Sequence, residues 1–303
     1  MRVRALDIGQ TVRHLLAPGQ RGTILAVVSE AIYLRCASGE LFWLTTAGIP
    51  RHPRSVRVPA LLPAVPANTP FAVDEGGLLT IASHLVLDCR RAPVWSPPVL
   101  SREEVLPSTA LPERICTVCS LLENLPPPAG LGTLLPAILG TDTRSPCSPP
   151  RAGGPSFPAL AFPIVLETAA ACRARDGEKL LLHAESLVGL GGGLTPSGDD
   201  FVGGLFFCLH HLSRLYPESL SPVDWADAIH RSSDRTNPIS VTALNDLARG
   251  QGVEPLHEWL GAILTEGSLE RMQHYAARLV RIGHSTGWDL LSGVLTGLLW
   301  ISE

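Results

Sequence analysis

A chain of 303 residues with 45% hydrophobic and only 17% charged residues can bury a large core and is not disordered. Its formal net charge of −4 argues against a general binder of nucleic acid or of anionic membranes. No apolar run is long enough to span a bilayer, and Met1-Arg2-Val3-Arg4 leads into mixed polar residues, not a secretory signal, so a cytoplasmic protein is expected.

Residues 1–100 read as a β-rich domain. The short β-prone runs 23–28, 31–36, 41–45, 55–58, 78–81 and 85–88 alternate with turn signals, which suggests a small sandwich or barrel. Ser38-Gly39 is the expected turn of a hairpin, and Pro50, Pro53, Pro63, Pro66 and Pro70 belong in loops or at sheet edges. No catalytic constellation stands out here, so a scaffold or partner-docking role is the default.

Residues 101–160 form a proline-rich transition with one short helix pattern, 114–125. Pro126-Pro127-Pro128 and the segment 145–155 cannot be regular helix or central strand. Arg144 or Arg151 could reach an anionic substrate from the latter, although a solvated loop with incidental arginines is the simpler account. The seven cysteines are scattered and read as free thiols, and the lone Cys116-Thr117-Val118-Cys119 has no second pair to make a zinc or redox site. Lys179, the sole lysine, sits in an exposed-looking Asp-Gly-Glu-Lys setting and is set aside as a catalyst.

Residues 161–303 read as helices, at 164–176, 178–188, 197–216, 223–231, 238–248, 256–265, 268–282 and 285–301, joined by short connections. The expected fold is therefore α+β: a β-rich N-terminal domain followed by a large all-helical C-terminal domain. Gly203-Gly204 and Gly293 with Gly297 would each cost about 1 kcal/mol inside a helix unless close packing offsets it, so those two helices should cross tightly.

The helical part is organised around Leu190-Gly191-Gly192-Gly193-Leu194-Thr195-Pro196-Ser197-Gly198-Asp199-Asp200-Phe201. The glycines permit positive φ and close approach to a ligand, and Thr195-Pro196 reads as N-cap and first helical residue. Ser197 with Asp200 offers an alternative start of capping-box type. This is neither a Walker loop, since no Gly-Lys-Ser/Thr follows, nor a dinucleotide fingerprint, since the lead-in looks helical. A glycine loop at a helix N-terminus suits an anion held by Gly191, Gly192, Gly193, Thr195 and Ser197. Asp199 and Asp200 diverge by about 100° on a helix, so one can face a ligand while the other braces the loop. A carboxylate beside a bound phosphate calls for a proton or an intervening Mg2+, for which Asp199 is the candidate ligand.

Two further helix starts share this chemistry: Thr236-Asn237-Pro238-Ile239-Ser240, with Asn237 as cap, and Gly283-His284-Ser285-Thr286-Gly287-Trp288-Asp289, with Ser285 as cap. Converged, they would line one cavity with Thr195, Ser197, Asp199, Thr236, Ser240, His284 and Asp289, with Asp200 and Ser285 as further site residues. His284, in a glycine-flanked loop, is the candidate acid or base among ten histidines, beside Asp199 and Asp200. Capping alone would also explain each start taken singly.

The run LGGGLTPSGDDF, with the Thr236–Ser240 and Gly283–Asp289 segments, resembles the signature of the AllH-like family. The resemblance extends over most of the chain, the β-rich beginning included. It implies a component of an oxamate-carbamoyltransferase-type enzyme of allantoin catabolism, which interconverts oxalurate plus phosphate with oxamate plus carbamoyl phosphate. The implied partners are a small anionic substrate (carbamoyl phosphate, oxalurate or oxamate) and other enzyme subunits. The residues also admit a non-catalytic assembly subunit, or a stand-alone Mg2+-dependent enzyme acting on a small phosphorylated or carboxylated substrate.

Overall fold

The computed structural model describes residues 1–60, 65–82, 84–140, 157–220 and 225–301. Arg144, Arg151, Pro63 and the segment 145–155 lie outside the described residues. The chain divides into two compact units, Met1–Pro98 and Val99–Glu303.

The first unit is one curled sheet of ten strands among the described residues. They are β1 (Arg2–Arg4), β2 (Asp7–Gly9), β3 (Arg21–Val27), β4 (Ala31–Cys36), β5 (Leu41–Thr46), β6 (Ser55–Val58), β7 (Pro70–Val73), β8 (Leu78–Ile81), β9 (Leu85–Asp88) and β10 (Val94–Trp95), with a short helix α1 (Val12–Leu15) after β2. The order across the sheet is β1-β9-β8-β7-β3-β4-β5-β6-β2-β10, a single sheet and not the two stacked sheets of a sandwich. The turn at Ser38-Gly39 joins β4 to β5 antiparallel, with Gly39 at a φ of 91°. Inward alternation brings Ile24, Leu34, Phe42, Val56, Phe71, Ile81 and Leu87 into one core, to which α1 adds Val12 and Leu15. Pro70 is the first residue of its strand, a place where its missing N–H is tolerated.

The second unit is helical: α2 (Leu111–Leu122), α3 (Leu135–Ile138), α4 (Phe157–Arg173), α5 (Gly177–Leu187), α6 (Ser197–Leu215), α7 (Ala226–Ser232), α8 (Pro238–Ala248), α9 (Glu254–Leu264), α10 (Leu269–Leu279) and α11 (Thr286–Leu298). No helix among the described residues is long and apolar enough to cross a membrane.

At the centre of this unit, α6 and α11 are buried along nearly their whole length. Such helices cannot be amphipathic, and here they meet through glycine. A Cβ placed on Gly293 would lie 2.0 Å from the Phe201 carbonyl oxygen, and one on Gly204 would lie 2.2 Å from that of Leu290. The two backbones therefore touch. Asp289 lies one turn before Gly293 and Asp200 one turn before Gly204, so the crossing that needs the glycines also brings these two carboxyls within electrostatic range of each other.

Candidate functional site

The three polar helix starts do converge. The Thr195 and Thr286 hydroxyls lie 3.3 Å apart, and those of Ser197 and Ser285 lie 3.2 Å apart, tying the start of α6 to that of α11. Thr236 and Ser240, at the start of α8, both donate their hydroxyls to Oδ2 of Asp199. The Gly189 N–H donates to its Oδ1 at 2.5 Å. Asp199 thus holds the loop and α8 onto α6, and every one of these bonds is internal to the fold.

Caps are arranged differently from the sequence expectation at two of the three starts. Pro196, not Thr195, is the N-cap of α6, and Ser197 is its first residue. Both hydroxyls reach across to α11 instead of capping. The capping box of Ser197 with Asp200 does not form, because the Asp200 side chain turns inward. Ser285 is the N-cap residue of α11, but its hydroxyl makes no cap bond. At α8 the expectation holds: the Asn237 side chain accepts from the N–H groups of Ile239 at 3.0 Å and Ser240 at 3.2 Å, with Pro238 first in the helix.

Asp200 and Asp289 are the unusual groups. Both are buried, and each has one carboxyl oxygen, Oδ2, without a hydrogen-bond partner among the described residues. Oδ1 of Asp289 accepts from the Leu131 N–H at 2.6 Å. Burial pushes the Asp200 carboxyl well above the usual range, the Asp289 charge adds to this, and the Thr286 and Thr195 hydroxyls act against it. Burial pushes Asp289 up to about 6, opposed by the Leu131 N–H and by the Ser197 and Ser285 hydroxyls. Burial therefore favours the neutral form of both carboxyls, and at Asp200 the charge of Asp289 adds to this.

Gly191, Gly192 and Gly193 are exposed, with φ of 113° at Gly191 and 95° at Gly193. The N–H groups of the first turn of α6 are mostly in use: Gly198 donates to the Leu190 carbonyl at 2.9 Å, and Asp199 and Asp200 donate to that of Pro196. The helix terminus therefore offers an anion less than the sequence suggested, because the loop folds back to satisfy it. Asp199, expected as a metal ligand, already accepts three hydrogen bonds. No group of three His, Cys, Asp or Glu side chains is placed to hold a metal ion among the described residues. His284 is exposed, one residue before Ser285, and no hydrogen bond joins its ring to the three carboxylates among the described residues.

Three contributors escaped the sequence reading. Thr286 lay inside the third motif and was legible as a hydroxyl. Gly130 and Leu131 were not, since they act through backbone from 158 residues away in sequence. A Cβ on Gly130, whose φ is 55°, would fall 2.3 Å from Oδ1 of Asp289. Only glycine lets this backbone close over the carboxyl.

Residues 187–298 match the family model of oxamate carbamoyltransferase subunit AllH. The match runs from the last residue of α5 to the last of α11, and it contains every carboxylate and hydroxyl of the converged starts. The resemblance drawn from the glycine and Asp-Asp motif is shown over this stretch. The β-rich unit lies outside the matched residues. No solved structure matches the chain.

Proposed function

We propose that this chain is an AllH-type subunit of an oxamate-carbamoyltransferase-type enzyme, and that Asp200 and Asp289 engage the carbamoyl group that is transferred. The observation that carries this reading is the pair of buried carboxyl oxygens without partners. A buried acceptor left unpaired is costly, and a carbamoyl NH2 supplies the donors that would satisfy it.

Burial favours the protonated form of Asp200, which suits the reaction. In phosphorolysis, a phosphate oxygen bonds to the carbamoyl carbon and the bond from that carbon to the oxamate nitrogen breaks. The departing nitrogen needs a proton. Protonated Asp200 is the donor, and the proton lost by phosphate restores it. Asp289 accepts from the carbamoyl NH2 and fixes its orientation, while the hydroxyls of Thr195, Thr286, Ser197 and Ser285 are the donors nearest to a developing oxyanion. Asp199 is a positioning residue, holding two helix starts together. Phosphate binding falls to the exposed loop at residues 191–193, completed by other subunits. Oxalurate, oxamate and carbamoyl phosphate remain the substrates that this reading assigns.

The test is turnover by the complex reconstituted with its partner subunits. Asp200→Asn and Asp289→Asn should each lower kcat on the order of 100-fold or more with the complex still assembled, the scale of a lost acid or base. Assembly with unchanged turnover would make the chain a non-catalytic assembly subunit.

A further inference from the structure

The β-rich unit, which the family match leaves out, has a charged cavity of its own. Its described lining consists of Arg2, Arg4, Asp88, Arg90 and Arg91, around a volume of about 880 Å3. Four guanidinium groups face one carboxylate in a protein whose net charge is −4.

The sheet builds this cluster. In β1, Arg2 and Arg4 alternate with half-buried Val3, so both project from one face. β1 pairs in parallel with β9, setting Arg4 opposite Asp88, while buried Leu87 faces the core. The chain leaves β9 directly into Arg90 and Arg91. Asp88 then fixes two of the four cations. Arg90 grips it with two hydrogen bonds, Nε to Oδ1 at 2.9 Å and a terminal nitrogen to Oδ2 at 2.8 Å, and Arg2 donates to Oδ2 at 2.7 Å. Both guanidinium groups hold Asp88 well below the usual carboxylate range, Arg90 first, so it stays ionised and the clamp persists. Arg4 and Arg91 are exposed and make no ion pair among the described residues.

All four arginines are exposed, two of them held in place by Asp88 and two uncommitted. Guanidinium is the side chain best shaped for bidentate contact with oxyanions, and the volume lies in the usual range for small-molecule sites. We infer that this cavity binds a small molecule carrying two or more closely spaced oxyanionic charges, phosphate or carboxylate, through Arg4 and Arg91 with Arg2 and Arg90 held ready by Asp88. All of its described lining belongs to the first unit, and the inference is independent of the carbamoyl reading.

Calorimetry on the purified full chain, with inorganic pyrophosphate and citrate as separate probes, tests this. At least one probe should bind, with an affinity that falls as salt is raised. Preference for pyrophosphate would mark a phosphate ligand, and preference for citrate a carboxylate. The Arg4→Ala/Arg91→Ala double variant should weaken binding at least tenfold while Asp200→Asn leaves it unchanged. Arg91→Gln alone, outside any strand, should weaken it several-fold and guards against a folding defect at β1. Absence of binding by either probe, or equal binding by wild type and both arginine variants, would overturn the proposal and leave the arginines as protection of a sheet edge.

Discussion

Asp199 and Asp200 are neighbours in sequence with opposite roles. Their divergence around a helix says that the roles differ, but not which is which. That is decided by Gly189, Thr236 and Ser240, which saturate Asp199 and leave Asp200 to the interior. Asp199→Ala would strand three donors, so a loss of roughly 2–4 kcal/mol in urea unfolding is expected. Asp289 makes a different prediction. Its folded pKa is raised from 3.8 to about 6, so between these values the folded state binds a proton that the unfolded state has released. Wild-type stability from this group is full below pH 4 and is lost as pH rises toward 6. Asn cannot titrate, so the stability of Asp289→Asn relative to wild type should rise over that window. A pH-independent difference would show that the carboxyl is not perturbed.

At the scale of elements, the crossing of α6 and α11 is where packing and chemistry coincide. Gly293→Ala would drive a methyl group into the Phe201 carbonyl, with no flexible side chain to yield. The expected cost is about 2–3 kcal/mol, typical of overpacking, with the carboxyl pair displaced as well. A variant as stable as wild type would mean that the helices part at no cost. Glycine pairs inside helical patterns announced this contact in the sequence. Helix α8 and strands β4, β6, β8 and β9 also stand where periodicity and turn residues place them. By contrast, α4 begins at Phe157, earlier than the expected 164, because Pro163 is accommodated inside the helix. Strands β1, β2, β7 and β10 were unread for another reason. They have two to four residues each, and β1, β2 and β10 exist only through partners, such as β9 for β1, that lie far away in the chain, while β7 pairs with its neighbour β8 as well as with β3.

For the whole molecule, fold class was legible because a period of two gives way to a period of 3.6 near residue 100, whereas the single curled sheet depends on parallel pairings that no local pattern encodes. Equally hidden was a histidine cluster, with His257 buried and His210 and His211 half-buried, since His210 and His211 look like ordinary helix residues. The His211 ring lies 5.5 Å from that of His210 and 5.8 Å from that of His257 on α9, with Phe207 against both His211 and His257. Burial pushes His211 down to about 3 and His257 to about 4, and it lowers His210 as well. The folded state thus keeps the His211 and His257 rings neutral, while the unfolded chain takes up protons below about 6.5. Their contribution to stability is complete above that pH and falls as pH drops toward 4 and then 3. Asp289 acts in the opposite sense between pH 6 and 4, so the net acid profile of the wild type would mix the two. A variant comparison separates them. His211 has a buried Nε2 without a partner among the described residues, and His211→Phe would remove the titration while keeping an aromatic ring beside Phe207. Between pH 7 and pH 5 its stability relative to wild type should rise by about 2 kcal/mol, the linkage expected of one histidine held neutral over 1.5 pH units. If denaturant unfolding shows the same difference at both pH values, His211 is not kept neutral by the fold, and acid sensitivity must arise elsewhere in the chain.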